Sequence, residues 1–299
     1  MHRRCVLLFI SATLFSFSLF AQEEAGWLSL QRLSVSASGR YSYSPWNKLN
    51  QSLNVVTETI SYDPVYVSPS GSAQKILGDL AGSISLNYRV YHGLTGLVMG
   101  EYTVTSSKLT FRDAQYDRDI GQNFDLGVFG FGIGAEYRAA VNELVECSPF
   151  FAILQNSATL KFSHRYNRTS GDTYRFDAQL RNTRIGFQTG VRVSVRVTGT
   201  VSVFSGIEYR FIKFPNLEGN CSYAFGNLSP ILRSFDVYLA EGDGYFGIKA
   251  KQGEIYDPTI LLRTLWQRVE NPSSMEESIK PTSLNLSAVG VTLGARIAF

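Results

Sequence analysis

The stretch Ser287-Ala288-Val289-Gly290-Val291-Thr292-Leu293-Gly294-Ala295-Arg296-Ile297-Ala298-Phe299 alternates between apolar residues and small or polar ones. Side chains of a β-strand point to opposite faces in turn, so every second residue shares a face. One face therefore carries Val289, Val291, Leu293, Ala295, Ile297 and Phe299. The other face carries glycine, threonine and one arginine. The stretch predicts a strand that separates an apolar environment from a polar one.

Similar alternation predicts seven more strands, at residues 31–44, 80–91, 94–104, 124–138, 149–162, 184–196 and 201–211. In the fourth of these we place Phe129, Phe131, Ile133, Ala135 and Tyr137 outward and Gly130, Gly132 and Gly134 inward. The connections after the second, fourth and sixth strands are short, whereas long polar segments occupy 45–79, 106–122, 163–181 and 212–283. This sorting predicts an antiparallel meander that closes into a transmembrane β-barrel, with short periplasmic turns and long extracellular loops.

The N-terminal residues have the pattern of an export signal. A short basic start is followed by an apolar run from Val6 to Phe20, which is shorter than the roughly twenty residues of a membrane-spanning helix. The small residue Ala21 then precedes a polar segment, so we expect a cleaved signal peptide at 1–21. The expected mature barrel is 22–299, with a long extracellular insert at about 213–283.

Charge and cysteine content exclude some classes of function. Removal of Arg3 and Arg4 would lower the formal net charge from +3 to +1, which gives no support for nucleic-acid binding. The mature chain would keep Cys147 and Cys221, which the predicted topology places at opposite ends of the barrel, so no disulfide is expected. No metal-ligand cluster or phosphate-binding glycine motif is apparent, and we predict no cofactor.

The chain resembles the small eight-stranded outer-membrane β-barrel superfamily, which includes the OmpA transmembrane domain, OmpX, the opacity proteins and OmpW. The terminal strand resembles the insertion signal read by the barrel-assembly machinery, on the residues Val291, Leu293, Ala295, Ile297 and Phe299. The alternative for this strand alone is an ordinary buried C-terminal strand. The resemblance implies the outer membrane of a diderm bacterium, with outer-membrane lipid and the assembly machinery as partners.

Charged residues occur on the inward faces of the predicted strands. They are Arg40, Arg89, Glu101, Arg184, Arg192, Glu208, Arg210 and Arg296. Charges inside a narrow barrel must be paired or hydrated. They therefore form either an internal ion-pair network or a gated polar pathway, and the excess of arginine leaves guanidinium groups that need water, serine hydroxyls or an anion.

Two functions follow from these patterns. Among the superfamily members we favour an OmpW-like protein, which implies passage of small hydrophobic molecules. Its lining would be the inward residues Leu97, Met99, Leu126, Val128 and Phe204, which a packed core explains equally well. The alternative is an adhesin or structural barrel that binds host surface molecules through its loops.

The insert leaves the strand count open. The segment 233–251 predicts a hairpin, which gives eight strands if it is extracellular and ten if it inserts into the membrane. Its arms are short for a crossing of about nine to eleven residues, so we prefer eight.

Enzymatic alternatives rest on few residues. An outer-membrane protease of the omptin type would place Asp117, Asp119 and His164 near the outer rim, but no local motif matches. Ser163 lies next to His164, yet adjacent residues of a strand point to opposite faces, which argues against a lipase. We therefore predict no enzymatic activity.

Overall fold

A computed structural model describes residues 32–43, 72–73, 78–91, 93–113, 118–168, 173–225, 233–242, 245–250, 260–261 and 280–299. The predicted signal peptide lies outside these residues. The described strands are β1 (Leu33–Tyr43), β2 (Ser72–Ala73), β3 (Asp79–Tyr91), β4 (Leu94–Asp113), β5 (Arg118–Tyr137), β6 (Ala139–Ala140), β7 (Val145–Arg168), β8 (Thr173–Arg196), β9 (Val201–Phe211), β10 (Lys213–Phe214), β11 (Glu218–Phe225), β12 (Arg233–Gly242), β13 (Tyr245–Ala250), β14 (Ile260–Leu261), β15 (Lys280–Pro281), β16 (Leu284–Asn285) and β17 (Ala288–Ala298). Within the described ranges, no helix is long and apolar enough to cross a membrane.

Eight of these strands form a closed antiparallel ring. Its order is β1, β3, β4, β5, β7, β8, β9 and β17, and β17 pairs with both β9 and β1 to close it. The hairpin of β12 and β13 is present as predicted, but it joins β8 through β11 and takes no place in the ring. The preferred count of eight is therefore confirmed, and the alternative of ten is wrong.

The outer surface of the ring carries a continuous apolar belt. Its members are exposed and outward-facing, and they include Tyr41, Ile84, Val98, Ile133, Ile153, Val191, Ile207 and Leu293. Closure pairs the backbone groups of every ring strand, which is the condition for crossing lipid with strands. The chain thus has the architecture of a transmembrane β-barrel, as the alternation predicts. Phe299 also lies on this outward face, with 61% of its surface exposed.

Placing a charge at mid-height of the belt tests this assignment. Ile133→Arg is expected to lower the free energy of unfolding by about 2–4 kcal/mol, because an arginine would face hydrocarbon at the bilayer midplane. Ser106→Arg, an exposed position of β4 just above the belt, is the control and should change it by less than about 1 kcal/mol. Urea titration in lipid vesicles measures both values. Equal small effects would contradict the position of the belt.

Four strands continue well beyond the belt, and here two sequence predictions are wrong. The segments 106–122 and 163–181 are mostly strand, because β4 and β5 extend to Asp113 and Arg118, and β7 and β8 extend to Arg168 and Thr173. The alternation persists above the belt with reversed polarity. On β7, Leu160 is buried on the inner face while Lys161 is exposed on the outer one. Outside the membrane the outer face meets water, so its residues become polar.

The extended strands belong to a second sheet region, which we call the outer sheet. It consists of β2, the parts of β4, β5, β7 and β8 above the belt, and β11 to β14. Its inner face and the insert share a set of buried apolar side chains, the outer core. Members on the ring strands are Phe124, Leu126, Leu160, Phe162, Phe176 and Leu180. Members on the insert are Phe214, Leu217, Val237 and Leu239, and Ile212, Leu284 and Leu286 lie next to the insert in sequence.

Polar contacts hold the insert against the ring strands. Asn182 of β8 donates hydrogen bonds to the carbonyl oxygens of Pro215 and Asn216. Within the ring strands, the rings of Phe162 and Phe176 meet edge to face at 6.2 Å. The described part of the insert therefore packs against the extended ring strands. Cys221 is buried on β11 and Cys147 lies at the short-turn end of β7, and these two described cysteines form no disulfide bond with each other.

Candidate functional site: the charged barrel lumen

The strongest concentration of functional groups lies inside the barrel. Strand alternation turns Arg40, Glu101, Arg192, Glu208, Arg210 and Arg296 inward, and each of them is at most 5% exposed. Two other predicted members differ, since Arg89 and Arg184 share the inward parity of their strands but are exposed near the ends of the barrel wall. The lumen charges divide into an upper and a lower cluster.

The upper cluster is centred on Glu101 of β4. Its Oε1 accepts a hydrogen bond from Nη2 of Arg40 at 2.6 Å and one from Nη1 of Arg210 at 3.4 Å. Thr103 also donates to Glu101, at 3.2 Å. A buried carboxylate is stable only when such donors compensate its lost hydration. Glu101 therefore links β1, β4 and β9 across the lumen.

Glu208 and Asp79 complete the upper cluster. Glu208 accepts two hydrogen bonds from Arg192, from Nε at 3.0 Å and Nη2 at 2.7 Å, and one from Gln188 at 2.7 Å. Asp79 accepts one from Arg210 at 2.9 Å. Three guanidinium groups thus face three carboxylates, and the cluster is balanced in charge. Asp79 belongs to β3 and not to the predicted loop 45–79, which corrects that boundary.

Aromatic rings lie between the two clusters. The guanidinium carbon of Arg192 stands 4.0 Å from the ring centroid of Phe150 and 5.3 Å from that of Phe204. The guanidinium carbon of Arg296 also lies 5.8 Å from the ring centroid of Phe204. Such cation–π contacts stabilise a desolvated arginine. Phe204, a predicted lining residue, therefore packs between charged groups.

The lower cluster surrounds Glu136 of β5, near the short turns. Glu136 is fully buried and accepts hydrogen bonds from Nη2 of Arg296 at 2.7 and 2.9 Å. Arg138 forms a longer ion pair with the same carboxylate, at 3.5 Å. Here two guanidinium groups share one carboxylate, so the lower cluster carries excess positive charge.

Sequence reasoning missed Asp79, Glu136 and Gln188, all of which are buried in the lumen. Glu136 has the same parity as the inward Gly130, Gly132 and Gly134, so the pattern already contained the signal. Asp79 was hidden because it lies at the first position of its strand, where alternation has not begun.

The predicted apolar lining residues are all buried. Leu97, Met99, Leu126, Val128 and Phe204 are each 2–4% exposed. Met99 forms a cluster with Ala152 and Leu154. Val128 lies at the top of the belt and Leu126 lies just above it, whereas the other three residues lie deeper in the lumen.

The candidate enzymatic residues do not assemble into a site. His164 is 6% exposed and its Nδ1 lies 3.0 Å from Nε2 of the buried Gln122. Asp119 is exposed, and Asp117 lies outside the described residues. Where the structure describes the chain, it contains no group of three or more residues suited to a metal ion.

Comparison with solved structures identifies small outer-membrane barrels as similar folds. Neisserial surface protein A matches with 14% identity and a TM-score of 0.37, over 89% of this chain and 97% of that one. A major outer-membrane protein of Thermus thermophilus matches with 9% identity and a TM-score of 0.36, over 89% and 99%. Ail, the attachment invasion locus protein of Yersinia pestis, matches with 8% identity and a TM-score of 0.31, over 89% and 98%.

The fold is that of an eight-stranded outer-membrane barrel. This assignment rests on the closed strand pairing and the belt of the chain itself. No protein-family model and no curated protein sequence matches it.

Proposed function

We propose that the protein is an outer-membrane barrel that acts at the cell surface through its outer sheet. The observation that supports this proposal is the continuation of β7 and β8 to Arg168 and Thr173 as a folded, polar-faced extension. Above Ser157 the extension rises on the order of 25 Å, because each residue adds about 3.3 Å along a strand that is tilted by about 45° from the barrel axis. Long loops on a rigid scaffold commonly carry binding sites.

The filled lumen favours surface binding over passage. A solute crossing the barrel would have to separate buried ion pairs such as Arg40 with Glu101 and Arg296 with Glu136. It would also have to pass the buried apolar side chains of the outer core. An eight-stranded barrel has an interior about wide enough for its own side chains. The lumen charges therefore serve the barrel as an internal ion-pair network in this proposal.

The outward face of β8 above the belt supplies a polar surface for a partner. Arg175 and Arg181 are exposed there, with Asp177 paired to Arg175. We expect Arg175→Glu combined with Arg181→Glu to reduce attachment of bacteria that carry the protein to surfaces coated with host-cell matrix proteins. Arg196→Glu is the matched control, since Arg196 is exposed at the opposite end of the same strand.

The measurement pairs attachment with conductance of the purified protein in planar bilayers. Attachment that falls at least tenfold in the outer double variant alone, together with no stable channel, supports the proposal. Stable conductance with attachment unchanged in every variant would overturn it. Heat-modifiable gel mobility confirms that each variant is folded.

Passage of small hydrophobic molecules is the second candidate. It is supported by the inward apolar residues Leu97 and Met99 in the lumen and Leu126 and Val128 at its rim. Uptake of a fluorescent apolar solute into vesicles carrying the barrel tests it. The candidate requires uptake above protein-free vesicles that falls when Leu126 is replaced by aspartate.

A further inference from the structure

We propose that the periplasmic mouth of the lumen is a binding site for a small oxyanion, such as phosphate or a carboxylate. The site would be formed by Arg138 and Arg89, with the hydroxyls of Ser34 and Thr95 beside them. It is independent of the surface function proposed above, because it lies at the other end of the barrel.

The charge balance at this mouth is the first observation. Glu136 is the buried carboxylate of the lower cluster, and Arg296 already occupies both of its oxygens at 2.7 and 2.9 Å. Arg138 is left with a 3.5 Å ion pair to Glu136 and a 3.4 Å hydrogen bond to the hydroxyl of Ser34. The nearby Glu146 forms a 3.6 Å ion pair with Arg196, so these two opposite charges balance each other. Positive charge is thus in surplus here, unlike in the upper cluster.

Unpaired donors are the second observation. The Nε of Arg138 faces Glu136 at 3.5 Å without making a hydrogen bond. The hydroxyls of Thr95, Ser148 and Ser194, which are at most 3% exposed, have no hydrogen-bond partner either. A buried donor without an acceptor costs about 1–3 kcal/mol, so such donors at this end of the barrel favour a bound acceptor. An oxyanion offers several acceptor atoms and a negative charge together.

Strand register brings these groups to the short-turn end of the barrel. Thr95 of β4 is paired with Arg89 of β3 on one side and with Glu136 of β5 on the other. Arg89 is exposed at the mouth, and Arg138 is mostly buried just inside it. Both arginines therefore lie where an anion would enter from the periplasmic side. The planar guanidinium groups suit an anion with two or more oxygens, since each can donate two parallel hydrogen bonds.

Titration calorimetry of the refolded barrel in zwitterionic detergent, with inorganic phosphate, acetate and chloride as separate titrants, tests the proposal. We expect phosphate or acetate to bind with a defined stoichiometry and more tightly than chloride at equal ionic strength. Phosphate binding without acetate binding would indicate a phosphorylated solute, and binding of both would indicate oxyanions in general. Chloride binding as tight as the others would overturn the proposal, because it would show charge accumulation only.

Variants locate the site. Arg138→Gln and Arg89→Gln should each weaken binding about tenfold, as expected for loss of a charged hydrogen-bond donor. Arg89 is exposed, so its variant is expected to fold even if that of Arg138 does not. Arg175→Gln removes the same charge at the opposite end and should leave binding unchanged. Equal affinity in the wild type and in Arg89→Gln and Arg138→Gln would place any bound anion elsewhere and overturn the proposal.

Discussion

Replacing Gly132 with valine is expected to prevent the barrel from refolding into lipid vesicles. A Cβ atom at Gly132 would overlap the carbonyl oxygen of Ile153 and lie 2.7 Å from the Cα of Leu154. Both are backbone atoms of the paired strand β7, which closure of the ring holds in place. No side-chain rotation can relieve such a contact, so β5 and β7 could not keep their spacing.

Gly100 provides the control for this substitution. It lies on the adjacent strand β4 at nearly the same height, and a Cβ atom there would meet no other atom within 4 Å. Gly100→Val should therefore refold with the yield of the wild type. Heat-modifiable gel mobility and far-ultraviolet circular dichroism measure the folded fraction. Refolding of Gly132→Val at the wild-type yield would contradict the close approach of β5 and β7.

Removing the charge of Glu101 is expected to lower the free energy of unfolding by about 3–5 kcal/mol. The substitution Glu101→Gln leaves Arg40 and Arg210 buried with less negative charge to compensate them. An uncompensated buried guanidinium costs more than the original pair contributes, because its hydration is not restored. Urea titration in vesicles gives the free energy directly.

Two further variants separate this effect from simple charge loss. Asp177→Asn breaks the exposed pair with Arg175 in the outer sheet, and it should cost less than about 1 kcal/mol. The double substitution Arg40→Met with Glu101→Leu removes both partners, and it should be less destabilising than Glu101→Gln. If Glu101→Gln costs no more than Asp177→Asn, the upper cluster does not stabilise the barrel.

The ring could be predicted from sequence because lipid imposes one rule on every strand that crosses it. Residues such as Ile133 and Val191 must be apolar, and their neighbours along the chain need not be. The stretch 201–211 was predicted to the residue for this reason. The fourth strand was harder, because both faces are partly apolar, yet the outward placement of Phe129 and Phe131 is confirmed.

The outer sheet could not be predicted in the same way. Above the belt the apolar face turns inward, so Phe176 is buried on β8, whose lower part carries inward polar groups such as Gln188 and Arg192. A prediction that expects apolar residues on the outer face along the whole strand therefore ends these strands too early. Several charged residues of the lumen could be predicted from the sequence, but which of them form ion pairs with each other could not. The choice of partner depends on which strands face each other across the barrel. Glu136 and Arg296 are 160 residues apart in sequence.

The unbroken passage of β7 and β8 from the membrane into the outer sheet has a mechanical consequence. Their backbone hydrogen bonds to each other continue from Val145 paired with Val195 to Asn167 paired with Thr173, without a hinge. A pull on the tip of this hairpin, directed away from the cell, would load these bonds and those to β5 along the strands, in shear. Many bonds would share the force at once. The hairpin would therefore pass such a force into the ring as a single stiff body.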